Sequence, residues 1–347
     1  MKHYFILNDT RTNLHHGCEV VMNNLYSLIQ KNNPDARFSK LCTGQTISEE
    51  KWHELLEDVD VVIINGEGTL HDAAPFGEFL LKLGQIAKQK NKKVFLVNST
   101  WENNPSAWNE LINEFDGLYV RDQKSLATLK TQHPHCEYAA DLTFYSIHQA
   151  HQSNTSKSTS AIRPQVIVND SVYSHVSDAL FNYAKKHQLD YHPITRELPL
   201  SSDTIGYNPK KMKKLKQYKL LSQLTFGLYQ PRRYYQDFDY CIDDTAAFKQ
   251  KMLDSDLVIT GRYHCLCFCL QMQIPVLIVA SNTSKTQNLL SDAGLRDRHI
   301  KTDDLNQLSL QQLLEKAQYS DEEKQKLIDF SLNTQRKHEQ IFEKICA

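Results

Sequence analysis

The sequence predicts an α/β protein of two doubly wound, Rossmann-like domains facing each other across a cleft. Three observations carry this expectation. Short apolar, β-branched runs recur, each giving way to a polar, often glycine-containing loop and then to a helical pattern. Such strand–loop–helix units lie on both sides of a polar stretch at 148–163. At 347 residues the chain is long enough for two domains of ordinary size. The domains read in this way are 1–150 and 164–347, the second interrupted by a basic insertion around 209–235.

With 40 basic and 41 acidic residues, the net charge excludes a global nucleic-acid or membrane surface. No stretch approaches the roughly 18 apolar residues of a membrane helix, and a cytoplasmic protein is expected. The 8 cysteines contain no Cys-x-x-Cys. They read as buried thiols in a reducing compartment, with no disulfide frame, metal set or cofactor expected.

Taken in order, His3 to Leu7 is a first strand that breaks at Asn8-Asp9-Thr10, and Val20 to Ile29 is an apolar-periodic helix. Between them lies His15-His16-Gly17-Cys18-Glu19. Gly17 permits close approach of a ligand at the helix start, where His15 and His16 offer substrate contacts; the other reading is a solvated loop. Val59 to Ile64 is the next strand, ending in Asn65-Gly66-Glu67-Gly68-Thr69-Leu70-His71. Two glycines around Glu67 allow a turn that pushes its carboxylate into the cleft as a general base, against the alternative that it caps the following helix. Lys93 to Val97 and Leu118 to Asp122 are further strands, the second leading into a helix at Gln123. Arg121 puts a positive charge at its end, or pairs with Asp122 in a helix cap.

After the polar linker, Val166 to Val168 restarts the strands and Asp178 to His187 is a helix. The segment 209–235 carries Lys210, Lys211, Lys213, Lys214, Lys216, Lys219, Arg232 and Arg233 with no acidic residue, interleaved with leucines and tyrosines. Such a segment suits peripheral contact with an anionic membrane face, or is a solvated insertion whose leucines pack on the domain. Thr245 to Leu253 is a helix. In DSDLVITGRYHCLCFCLQMQIPVLIVASN, strand Leu257–Thr260, helix Cys265–Leu270 and strand Val276–Ala280 form a unit whose ligand position lies at Gly261-Arg262-Tyr263-His264. Glycine, a helix start, an Arg fork and a titratable His describe an anion clamp; the alternative is that Arg262 pairs with a carboxylate and His264 caps the helix. Helices at Leu289-Leu290, Leu305–Ala317 and Asp321–Ile345 complete the chain.

These residues also carry a resemblance. ITGRYH followed by an apolar helix and IPVLIVASNTSKTQNLLSDAGL resembles the carboxyl-terminal signature of polysaccharide pyruvyl transferases: TGR-x-H, a G-[IV]-P-V-type strand, then a Lys. Gln273-Ile274-Pro275-Val276 and Lys285 occupy the later places. VRDQKSLATL resembles that family's V-R-D-x-x-S-x-x-x-L, and Ala139 to Phe144 its Asp-Pro-Ala-Phe region without the proline. The resemblance implies an arrangement like that of GT-B glycosyltransferases and a ketal-forming transfer from phosphoenolpyruvate to two sugar hydroxyls. It implies a donor site of Arg262, Gly261 and Lys285 in the second domain, joined by Arg121 of the first, with His264 as proton donor or phosphate ligand.

Two places depart from the family's pattern. His15-His16-Gly17-Cys18-Glu19 stands where Gly-Asn-x-Gly-Asp is usual, and Asn65-Gly66-Glu67-Gly68 where a Gly-Gly-Gly-Ser-Leu-like loop is usual. Glu67, or His15 or His16, is then the group for the attacking hydroxyl. His15, Gly17, Gly66, Gly68 and His71 are acceptor contacts for a saccharide, which a basic segment at the inner membrane face would help recruit if lipid-linked. The departures leave two alternatives: a glycosyltransferase using a CMP- or UDP-sugar, and a binding protein that kept the clamp without turnover.

Overall fold

The computed structural model describes residues 1–146, 164–196, 240–279 and 284–347, with isolated positions between 213 and 226. The linker at 148–163 and most of the basic segment 209–235 lie outside the described residues. The chain divides into two compact units, one of 1–11, 19–146 and 331–347, the other of 12–18 with the described residues between 164 and 330.

The first unit is built on a six-stranded parallel sheet: β1 (His3–Asp9), β2 (Arg37–Cys42), β3 (Val61–Asn65), β4 (Lys93–Ser99), β5 (Gly117–Val120) and β6 (Glu137–Tyr138). Its order is β2-β1-β3-β4-β5-β6. The winding therefore reverses between β1 and β3, and at such a point the loops beyond the two strand ends diverge and leave a crevice. Strand periodicity sorts the apolar residues. Phe5, Leu7, Val62 and Ile64 enter one core, while Tyr4, Ile6, Val61 and Ile63 enter the core on the other face.

That second core is covered by α1 (His16–Asn32), through Val21, Met22, Leu25, Leu28 and Ile29, and by Ile341, Phe342 and Ile345 of the C-terminal helix Asp321–Cys346. Burying such a side chain stabilises by about 1.5–3 kcal/mol, and Phe342→Ala would cost about 3–5 kcal/mol. The sequence reading placed all of 164–347 in the second domain. Helical periodicity shows which face of this helix is apolar, but not which sheet buries it.

The second unit has a four-stranded parallel sheet of β7 (Val166–Ser171), β8 (Asp190–Tyr191), β9 (Leu257–Gly261) and β10 (Val276–Ile278), in the order β10-β9-β7-β8. Its winding reverses between β7 and β9. The unit predicted at 254–282 is present as β9, a helix Tyr263–Gln271 and β10, with that helix buried along its whole length.

Several elements differ from the sequence reading. β2, an edge strand of mostly half-exposed residues, lacks the apolar run that marks the inner strands. The helix expected over Leu305–Ala317 is a 3-10 turn at Thr302–Asn306 and a separate helix Leu310–Ala317, because Ser309 and Gln312 form a capping box between them. Among the described residues, no helix is long and apolar enough to cross a membrane.

Candidate functional site

The winding reversal of the second unit gathers the carboxyl ends of β7 and β9. Gly261 pairs in register with Ser171, and a Cβ on Gly261 would lie 2.5 Å from the Ser171 Cβ, so only glycine fits without displacing the neighbouring strand. Thr260 Oγ1 donates to Asn169 Oδ1 (2.7 Å) and accepts from the Arg262 N–H (2.9 Å). Arg262 is the N-cap residue of helix Tyr263–Gln271, with no side-chain cap bond. Its Nε donates to Asp170 Oδ2 at 2.7 Å, and Nη2 reaches the same oxygen. Asp170 is almost wholly buried, whereas Arg262 keeps 19% of its side chain exposed. The carboxylate partner that the sequence left open is thus Asp170, and the expected clamp is an Arg–Asp pair rather than a bare cation.

Residues 12–18 bring the imidazoles to this place. His15 is bridged to Thr195, and the His16 N–H donates to the Ile194 carbonyl (3.2 Å). The rings of His15 and His264 meet edge to face with centroids 5.2 Å apart. A Cβ on Gly17 would lie 2.2 Å from His264 Cγ, so this glycine is what lets the His264 ring lie against the start of α1. The Gly17 N–H in turn donates to His15 Nδ1 (3.1 Å). Cys18 joins the group: one donor atom from each of His15, Cys18 and His264 lies within 4.8 Å of the others.

Burial pushes the His15 imidazole well below its ordinary range, and the charges of His264, Arg262, His16 and Lys285 push it further. Lys285 opens the helix Lys285–Asp292, its ammonium 5.8 Å from the Tyr263 ring centroid.

His16 does not belong to this cluster. Its ring is buried, stacked on Phe248 (centroids 4.4 Å) and bonded through Nδ1 to Thr245 Oγ1 (2.8 Å). Burial, aided by Arg196, lowers its pKa to about 4. The expected catalytic role gives way to a packing role, because successive residues at a helix start project in different directions.

In the first unit, Glu67 follows β3 and Thr10 follows β1, the strands between which the winding reverses. Glu67 is buried, and its Oε2 accepts from Thr10 Oγ1 at 2.8 Å and from Asn65 Nδ2 at 3.5 Å. Asn8, in the left-handed region at φ 68°, straps the turn by donating to the carbonyls of Asn65 (2.7 Å) and Glu67 (3.1 Å). Gly68 holds φ +71°, and a Cβ on Gly66 would lie 2.6 Å from the Ser99 Cβ. The next helix begins only at Pro75, so Glu67 is not its cap.

His71 bonds through Nδ1 to Asp72 (3.0 Å). Arg121 is 2% exposed, its Nη1 donating to Asp141 Oδ2 and its Nε to Thr100 Oγ1, both at 2.9 Å. A guanidinium so enclosed ties strand ends together and is not presented to a donor, which corrects the donor-binding expectation. Asp170, Cys18 and Thr10 were missed by the sequence reading. Only Asp170, at the end of the VIVND run, had a signal there, as the acid where a strand leaves the sheet.

Solved structures share this fold at low identity. The UDP-GlcNAc 2-epimerase from Neisseria meningitidis bound to UDP-GlcNAc has a TM-score of 0.52 at 11% identity, covering 99% of each chain. The S. aureus MnaA–UDP structure has a TM-score of 0.51 at 11% identity, covering 91% of this chain and 90% of that one. The Methanocaldococcus jannaschii UDP-GlcNAc 2-epimerase in complex with UDP-GlcNAc and UDP has 0.50 at 12%, covering 96% and 93%. The fold is accordingly of the GT-B type. No curated protein matches the chain. Residues 15–283, which span the β7–β9 reversal, the His15 loop and the Glu67 turn, match the sequence profile of the polysaccharide pyruvyl transferases, and the chain belongs to that family.

Proposed function

We propose that the protein transfers pyruvyl from phosphoenolpyruvate onto two hydroxyls of a saccharide, forming a ketal and releasing phosphate. The observation that carries this reading, beyond the family, is the convergence of Arg262, Lys285 and the two imidazoles of His15 and His264 where the second sheet reverses. The cations Arg262 and Lys285 beside these imidazoles suit a donor bearing a carboxylate and a phosphate.

In the transfer, the methylene of the donor takes a proton and becomes the methyl group, the two hydroxyl oxygens bond to C2, and the C2–O bond to phosphate breaks. One hydroxyl proton balances the methyl group and the other leaves on phosphate. Arg262, oriented by Asp170, and Lys285 bind the donor's anionic groups; His264 delivers the proton; Glu67 accepts one from the attacking hydroxyl. Of the expected acceptor contacts, Gly68 and His71 remain proposed; Gly17 and Gly66 are closed against His264 and Ser99, and His15 lies with the donor cluster. The segment 209–235 is proposed to help recruit a lipid-linked or anionic acceptor. Beyond the all-basic charge of 209–235, its support is the exposure of Leu220, Leu221, Leu224 and Phe226 (57%, 44%, 66% and 97%).

A ligand that binds only the native state raises the melting temperature by several degrees at a hundredfold excess over Kd. Phosphoenolpyruvate is expected to do so with wild type and not with Arg262→Ala. A shift from CMP- or UDP-sugars with none from phosphoenolpyruvate would replace this reading with the nucleotide-sugar glycosyltransferase.

A further inference from the structure

We infer that His15, Cys18 and His264 form a binding site for a divalent cation of the zinc class, with the fourth coordination position open. The three residues come from separate places: the loop before α1, its first turn, and the first turn of helix Tyr263–Gln271. Fold, not sequence spacing, brings one donor atom of each within 4.8 Å of the others. In a tetrahedral zinc site with Zn–N of about 2.0–2.1 Å and Zn–S of about 2.3 Å, donor atoms stand roughly 3.3–3.6 Å apart. Side-chain rotations that close up to about 1.5 Å complete the set.

The donors select the metal. Two imidazoles and a thiolate suit Zn²⁺ or Co²⁺ and not Mg²⁺ or Ca²⁺, which take oxygen. Three protein ligands with a vacant fourth position is the pattern of zinc sites that receive water or an anion. The scaffold is set before any ion arrives. His15 is bridged to Thr195, and the absence of a Cβ at Gly17 admits the His264 ring to 2.2 Å of where that atom would be. Asp170 offsets the nearby Arg262 charge, and the thiolate of Cys18 supplies the negative charge that a cation needs beside Lys285. Ligation through His15 Nδ1 replaces its hydrogen bond from the Gly17 N–H (3.1 Å), and the Cys18 thiol gives up its proton to water as the thiolate binds the metal. An ion here also withdraws His264 from proton delivery, so the loaded protein does not carry out the transfer. That last consequence rests on the proposed function; metal binding itself does not.

The test uses the full chain freed of metal by chelator dialysis. Titration with Co²⁺ should give one equivalent bound, with the intense d–d bands of a tetrahedral site and a thiolate-to-cobalt charge-transfer band. Zn²⁺, but not Mg²⁺, should displace it. Cys18→Ser should abolish the charge-transfer band and weaken Zn²⁺ binding about a hundredfold, His15→Ala should weaken it comparably, and Cys42→Ser should bind as wild type. Circular dichroism checks the fold of each variant. Less than stoichiometric Co²⁺ uptake at micromolar protein, a charge-transfer band surviving in Cys18→Ser, or competition by Mg²⁺ overturns the site. Failure of phosphoenolpyruvate to bind would overturn the transfer reading and leave the metal site standing.

Discussion

Asp170 Oδ2 accepts the Arg262 Nε–H at 2.7 Å, linking the ends of β7 and β9 where the winding of the second sheet reverses. The carboxylate is buried and its other oxygen accepts from the Ile194 N–H (3.1 Å), so both ends of the pair are anchored to the fold. The arginine is held in one orientation while part of it still meets solvent. This relationship is both structural and, in the proposed function, the means by which a flexible side chain becomes a fixed anion contact.

Removing one member of a buried pair leaves the other uncompensated, at a cost of about 3–5 kcal/mol. Asp170→Asn and Arg262→Ala should each lower stability in urea by an amount of that order, and the double variant by clearly less than the sum of the two. Donor-induced thermal shifts should vanish in Arg262→Ala and shrink in Asp170→Asn. Additive losses in the double variant would show that the pair is not a unit.

Acid should destabilise the fold early. His16 and His338 are buried with pKa lowered from 6.5 to about 4, and burial lowers His15 well below 6.5 as well. Below about pH 6.5 the unfolded chain binds protons that the folded chain refuses. Stability is therefore fully present above pH 6.5 and falls as pH drops toward 4, by up to about 1.4 kcal/mol per pH unit for each histidine. Urea midpoints at pH 7.5 and 5 measure the loss, and His338→Gln should flatten the dependence. A midpoint that is flat over this range would contradict the buried neutral state.

Donor binding should draw in protons. Burial is the main cause of the lowered His15 pKa, and Arg262 and Lys285 add to it; an anion offsets their part, so the pKa rises on binding and affinity for phosphoenolpyruvate increases as pH falls. Calorimetry in buffers of different ionisation enthalpy reads the uptake. His15→Gln should abolish that part; equal uptake in the variant would assign it to another group.

Glu67 and Arg121 should separate chemistry from architecture. Glu67→Gln should lower the transfer rate about 10²–10⁴-fold with the donor thermal shift unchanged. Arg121→Ala should cost about 3–5 kcal/mol by stranding Asp141, yet leave the donor shift of the folded fraction intact. Loss of that shift at wild-type stability would return Arg121 to the donor site.

Much of the fold was legible because inner strands of parallel sheets are buried on both faces and read as short β-branched runs: His3 to Leu7, Val59 to Ile64, Leu257 to Thr260. The glycines at 66, 68 and 261 marked where two of these runs end in tight turns, since backbone constraints are local. The basic segment was legible as charge alone. What only the tertiary structure decided is non-local. It joined Thr12–Cys18 to the second unit, set Cys18 beside His15 and His264, paired Arg262 with Asp170 across 92 positions, closed Asp141 over Arg121, and carried the last helical turns back to the first sheet. Periodicity tells which face of a segment is apolar and a motif tells which atoms are reactive. The partner of either is chosen by whichever surface, distant in sequence, completes the burial and neutralises the charge.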